Sequence, residues 1–253
     1  MPVRTPRDTF ITVYGRRPVL EVLGDPALEV DKVVLAANVR DRSAQEILDA
    51  AAARGVPVRR EAPERVTRLS RNGRHDQGVV ADVRAVGMAG LDDWLDGLRT
   101  ESGRTRSVLV LDGVTNPANV GMILRSATAA GLDGVVLPRR GVAEVGPLVI
   151  KASAGVAFRA PILRAPTVEH ALEALQGAGF TLVALEAGAP QTVFDASFPE
   201  RTALVLGSET AGLTAEALPW IHERVAIPMA GGVDSLNVAT AATVVAYELA
   251  RRS

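Results

Sequence analysis

The sequence predicts an α/β protein in which a small α/β unit precedes a larger parallel sheet. Three observations carry this. Short apolar runs bounded by turn residues alternate with stretches of helical period along most of the chain. The runs become more uniformly apolar after Val108, as strands buried on both faces do. Between the two regions, Val86–Ser107 is mixed in charge around a turn of helix at Asp92–Leu98 and rich in glycine and serine, the composition of a linker.

Taken in order, Lys32–Ala37 (KVVLAA) reads as a strand, and Ser43 is placed to cap a helix running through Arg54. Val56–Glu61 is a second strand, Pro63–Ser70 a short helix opening on proline, and Gly78–Ala85 a third strand. A polar loop, Arg71-Asn-Gly-Arg-His-Asp-Gln-Gly78, joins the last two. Beyond the linker, strands are expected at Val108–Leu111, Gly134–Leu137, Thr181–Leu185, Ala203–Leu206 and Arg224–Ile227. Helices are expected at Asn119–Ala130, Pro147–Ala154, Val168–Gly177 and Ser235–Arg251. This is a doubly wound sheet, whose ligands sit outside the carboxyl ends of the strands.

A chain of 253 residues with 47% hydrophobic content can bury real cores. The net charge of −1 gives no global field for nucleic acid or membrane. Residues 1–85 nevertheless carry 15 Lys/Arg against 12 Asp/Glu, and the remainder 13 against 17, so the basic part is N-terminal. Almost all cations are arginine, which suits phosphate contact through its planar fork; a GC-rich genome explains the bias equally well. The absence of cysteine excludes disulfides and thiolate chemistry. His75, His170 and His222 are far apart and lack metal-site spacing, so no metal is expected. MPVRTPRDTF has no apolar signal core, and no segment approaches about 18 uninterrupted apolar residues. A cytoplasmic protein without membrane contact is expected.

The polar residues collect at three strand ends. The first is Leu111-Asp-Gly-Val-Thr-Asn116-Pro117-Ala-Asn119-Val-Gly121-Met-Ile-Leu-Arg125. Asn116 before proline is placed to cap a helix. Arg125 lies within that helix among small and apolar residues, either as a snorkelling surface arginine or as an anion clamp facing the crevice. The second, Ala203-Leu-Val-Leu-Gly207-Ser-Glu-Thr-Ala-Gly212-Leu213-Thr214, nearly spells the Gly-x-x-x-x-Gly-Lys-Ser/Thr phosphate loop. Leu213 stands where that loop needs lysine, and Glu209 adds a negative charge where a triphosphate would sit. A nucleotidase is therefore disfavoured. The third is Val225-Ala-Ile227-Pro228-Met229-Ala-Gly231-Gly232-Val-Asp-Ser235-Leu236-Asn237-Val, a strand leading through a glycine loop into a helix capped near Ser235. That cap leaves Asn237 unexplained inside the helix.

Asn116-Pro-x-Asn119-x-Gly121-x-x-x-Arg125, Leu206-Gly207-x-Glu209-x-x-Gly212 and Ile227-Pro228-Met229-x-Gly231-x-x-x-Ser235-Leu236-Asn237-Val238 together resemble the three motifs of the SpoU (TrmH) family of RNA 2′-O-ribose methyltransferases. The match runs from Val108 to Ser253. Residues 1–85 resemble the RNA-binding domain, similar to a ribosomal large-subunit protein, that precedes the catalytic domain in ribosomal members. Gln77-Gly78-Val79 echoes their His-Gln-Gly-Val signature, with Asp76 inserted after His75.

The resemblance implies a C-terminal trefoil-knotted parallel-sheet domain, in exception to the rule of unknotted chains. It implies S-adenosylmethionine as cofactor, held by Gly207, Ile227 and Leu236 with Pro228 and Met229 walling the adenine. It implies a homodimer, with the final helix as a dimer face, and RNA, most simply 23S rRNA, as partner. By position, Arg125 is the catalytic residue, with Asn119, Glu209, Ser235 and Asn237 orienting the ribose and Arg125. Antibiotic-resistance and transfer-RNA methyltransferases share the family, and a non-catalytic RNA-binding protein is the rival of another class.

Overall fold

The computed structural model describes residues 9–98 and 104–252; residues 1–8 and part of the expected linker lie outside them. The chain divides into two compact units, one within Thr5–Val86, the other formed by Gly87–Glu144 and Leu148–Ser253. Among the described residues, no helix is long and apolar enough to cross a membrane.

The first unit contains β1 (Phe10–Tyr14), α1 (Arg16–Gly24), β2 (Val30–Ala36), α2 (Arg42–Ala53), β3 (Val58–Glu61), α3 (Pro63–Ser70) and β4 (Val79–Arg84). Its sheet runs β1-β4-β2-β3; β4 is antiparallel to β1 and β2, and β3 is parallel to β2. Strand alternation sends Val34 and Ala36 to the face covered by Val66 of α3, while Val33 and Leu35, equally buried, serve the other face. Asp41, two residues before Ser43, caps α2: its carboxylate accepts the Ala44 N–H at 3.1 Å. Arg54, just after α2, donates to the carbonyls of Val22, Leu23, Asp25 and Leu28 at 2.6–3.3 Å. Two of these, Val22 and Leu23, are carbonyls of the last turn of α1, and the other two belong to the chain that follows it.

The second unit is an eight-stranded, wholly parallel sheet in the order β10-β12-β9-β11-β6-β7-β8-β5. Its strands are β5 (Ala89–Gly90), β6 (Arg106–Leu111), β7 (Gly134–Pro138), β8 (Ile162–Ala165), β9 (Thr181–Leu185), β10 (Gln191–Thr192), β11 (Arg201–Leu206) and β12 (Glu223–Ala226). The helices are α4 (Leu91–Leu98), α5 (Pro117–Ala129), α6 (Pro147–Ala152), α7 (Val168–Gly177) and α8 (Val238–Arg252). One face carries α4 and α7 over a core that includes Leu91, Leu95, Val108, Val110, Leu172 and Leu182. α5 packs along α8, and both touch the central strands.

Two expectations are corrected here. The stretch 86–107 is not a bare linker, because β5 pairs with β8 and Leu91, Leu95 and Leu98 at one helical face enter the core. The final helix begins at Val238, not Ser235, and Asn237 is its cap: the Asn237 Oδ1 accepts the Ala239 N–H at 2.9 Å. That accounts for an asparagine where the longer helix found none. At the other end of α8, Arg252 is paired with Glu248 at 2.6 Å and donates to the Phe194 carbonyl at 2.7 Å, fastening the helix beside β10.

Candidate cofactor and catalytic site

The C-terminal ends of β9, β11 and β12 enclose, with the start of α8, a cavity of about 480 Å³. Parallel strands deliver their following loops to the same edge, which is why residues about 100 positions apart can meet there. After β11 the chain turns back on itself: Ser208 and Gly212 exchange backbone hydrogen bonds of 2.9 and 3.0 Å. Gly207 makes this turn possible. A Cβ on it would lie 2.3 Å from the carbonyl carbon of Gly212 and 2.6 Å from the Leu213 nitrogen.

Glu209, at the tip of this turn, binds three partners. Its Oε1 accepts the Asn119 amide at 3.1 Å, the Val238 N–H at 3.2 Å and the Asn237 amide. Asn237 also donates to Asn119 Oδ1 at 3.1 Å. A carboxylate at the first turn of α8 is favoured by the N–H groups exposed there. One acidic side chain thus ties the starts of α5 and α8 to the β11 loop. Asn116 caps α5, its Oδ1 accepting the Ala118 N–H at 2.9 Å.

Gly207, Ile227, Met229 and Leu236 line the cavity, as do Glu209 and Ser235. Pro228, between two lining residues, does not line it. Arg125 is elsewhere. It follows Asn119 by six residues, about 240° round the helix, so Asn119 is buried against Glu209 while Arg125 is exposed. The expected clamp facing the crevice is therefore not formed within one chain. Arg125 instead lines a shallow groove between α5 and α8 with Met122, Ser126, Thr240, Thr243 and Tyr247. Met122 and Tyr247 are 40% and 52% exposed.

Two features went unmarked in the sequence. Asp112, 2% exposed at the end of β6, accepts the Thr214 N–H at 2.6 Å and so anchors the far end of the Gly207 turn. Burial raises its pKa above 3.8, against the lowering effect of the Thr214 N–H. The only cue was a carboxylate directly after an apolar strand. Glu186 and Arg224, both lining the cavity, form an ion pair at its side; the cue was again position at a strand end.

Comparison with known proteins settles the family. A model described as the SpoU rRNA Methylase family matches residues 106–247, and one described as RNA 2′-O ribose methyltransferase substrate binding matches residues 12–88. The chain belongs to the SpoU rRNA methylase family. Within that family it is 36% identical to the 23S rRNA (guanosine-2′-O-)-methyltransferase RlmB of Ralstonia nicotianae over 95% of both chains. The SpoU methyltransferase AviRb of Streptomyces viridochromogenes, crystallised with AdoMet, is 30% identical with a TM-score of 0.62, covering 96% of this chain and 90% of that one. A structure concerned with 2-OH methylation of C/U34 on tRNA is 31% identical with a TM-score of 0.52; it covers 59% of this chain and 97% of its own.

Proposed function

We propose that this SpoU-family enzyme methylates the 2′-oxygen of a ribose in 23S rRNA, with S-adenosylmethionine as donor. The observation that carries this is the cavity whose edge is held by Glu209, Asn119 and Asn237. Its lining fits the cofactor: Leu213, Leu218, Ile227 and Met229 suit an adenine ring, and the Glu209 carboxylate suits a cationic ligand. The bare Cα of Gly207 lets backbone approach closely. When bound, the cofactor supplies an electrophilic methyl group.

A ribose hydroxyl is a weak nucleophile until its proton is drawn away. Arg125 is always charged and so is not the base; it clamps the adjacent phosphate, which helps to draw the proton away as the methyl group arrives, and holds the hydroxyl in line. Asn119, Asn237 and Ser235 offer amide and hydroxyl groups that orient the ribose, with Glu209 holding both amides in place. On this reading, supported by the position of Arg125 outside the cavity of its own chain, the reacting centre lies between two copies. They associate through the α5–α8 face, where Met122 and Tyr247 are exposed, and each Arg125 serves the other copy's cavity. The segment from the Gly207 turn to α8 forms the trefoil knot. Residues 1–85 capture RNA and the second unit transfers the methyl group, in the cytoplasm, where ribosomal RNA is found.

Titration calorimetry with S-adenosylmethionine should give saturable heat, and 2′-O-methyl mapping of rRNA from cells with and without the gene should show one modified ribose lost. No heat would favour a non-catalytic RNA-binding protein. An unchanged rRNA map with heat retained would move the substrate to another RNA.

A further inference from the structure

One feature that the transfer reaction does not use lies in the first unit. A cavity of about 650 Å³ opens between the turn after β2, the start of α3 and the loop 73–78. We propose that it receives one unstacked nucleotide of the RNA, a subsite distinct from the transfer centre. The inference rests on the RNA-methyltransferase reading above and specifies how the first unit takes hold of that RNA.

The loop is built rather than slack. Asp76 is 4% exposed, and its carboxylate accepts Ser70 Oγ at 2.8 Å and the Gly78 N–H at 2.9 Å. Around it Arg71 and Gln77 adopt left-handed backbone angles, φ 54° and 51°, a conformation that costs non-glycine residues about 1 kcal/mol or more and persists where surrounding bonds enforce it. The inserted Asp76 is thus the pin of the loop, while His75 is exposed.

Arg16 is held from two sides. Its Nε donates to the Gln77 carbonyl at 3.4 Å, and its guanidinium pairs with Asp41 at 2.7 Å, while its backbone N–H donates to Gln77 Oε1 at 3.0 Å. A guanidinium fixed in this way offers a flat face on which a base stacks. Arg74, exposed on the cavity wall, has no ion-pair partner among the described residues. Arg60 donates to the carbonyl of the lining residue Val39 at 3.0 Å. Asn38 and Gln77 supply amide edges, and Ala36, Val39 and Pro63 an apolar side.

This combination suits a phosphate-bearing base better than an apolar metabolite. Asp76, whose carboxylate is already engaged, is the one acidic lining residue against two arginines. The cavity opens on exposed residues, so a base can enter while still attached to its chain. RNA is read through splayed bases of this kind.

The test uses full-length protein and a 23S rRNA transcript. Asn38→Trp, at an exposed turn, fills the cavity and should weaken transcript binding about tenfold, the scale of one lost stacked base. Arg74→Ala should weaken it several-fold and reduce the slope of log affinity against log salt by about one. Arg17→Ala, exposed and paired only with Glu21 among the described residues, serves as the surface control and should change neither measurement. The dissociation constant for S-adenosylmethionine should be the same in all variants, with circular dichroism reporting the fold of the first unit. Wild-type affinity in both Asn38→Trp and Arg74→Ala would overturn the subsite alone. Failure of the wild type to bind the transcript would overturn the RNA reading and the subsite with it. Saturable GMP binding that Asn38→Trp abolishes, with transcript affinity intact, would show a free-nucleotide site and overturn it too.

Discussion

Replacing Gly207 with alanine tests whether the turn after β11 is a cofactor-shaping element. The new Cβ would meet backbone atoms at 2.3, 2.5 and 2.6 Å, all belonging to Gly212 and Leu213. Carbon atoms pack at about 3.5–4.0 Å, so the returning strand must retreat by about 1 Å. No flexible side chain is available to absorb the movement. The retreat breaks the reciprocal pair between Ser208 and Gly212. Two hydrogen bonds at about 0.5–1.5 kcal/mol each amount to about 1–3 kcal/mol. Re-forming the turn on binding then weakens S-adenosylmethionine by about 5- to 150-fold. The ladders of β11 with β6 and β9 end at Leu206, so the sheet remains and the melting temperature should drop by only a few degrees. Calorimetric titration of the folded variant is the assay. A dissociation constant within twofold of wild type would refute the reasoning.

Glu209→Ala strands two amides and the Val238 N–H, and transfer should drop on the order of 10²-fold, the usual effect of a misplacement of about 1 Å. Single-turnover kinetics with saturating cofactor would check it. Asp112→Asn keeps an acceptor for the Thr214 N–H while removing a carboxylate whose folded pKa is raised. A raised carboxylate pKa weakens the fold as pH rises past 3.8, because the unfolded chain ionises first. The variant should therefore match wild type below that pH and be the more stable above it, measured by denaturant unfolding across pH. Asp112→Ala loses the bond itself and should destabilise at every pH by about 1–3 kcal/mol. Arg125→Ala should abolish transfer with cofactor affinity retained. Mixing it with Glu209→Ala should restore activity if the arginine serves the opposite copy; no restoration would refute the shared site.

The alternation of strands and helices was legible because buried parallel strands are continuous apolar runs, and five of them lie where those runs end in turn residues. β5 and β10, two residues each, carry no periodicity to detect. α4 was read only as a turn of helix within a linker: Leu91, Leu95 and Leu98 have helical spacing, but Asp92, Asp93, Asp96 and Gly97 between them give the stretch a linker's composition. β1 and α1 were likewise overlooked, although Phe10, Thr12 and Tyr14 alternate with buried Ile11 and Val13. Both caps were misplaced by two residues, at Asp41 and Asn237, where neighbouring polar side chains compete for the same role and only geometry decides. The loops of the candidate site could be named from strand ends. The face on which Arg125 falls follows from its angle to Asn119, and that angle means little until Asn119 is known to be buried.

The bonds around Glu209 also order events in time. Asn119 and Glu209 are separated by 90 residues and Asn119 and Asn237 by 118, and contacts so distant in sequence form slowly because long loops must first be closed. α8 supplies both Asn237 and the Val238 N–H, and it is made after every strand of the sheet. A nascent chain can hence complete β6 through β12 while its cofactor cavity still lacks a wall. Competence to bind arrives as a late, separate step in biogenesis, when the last helix docks.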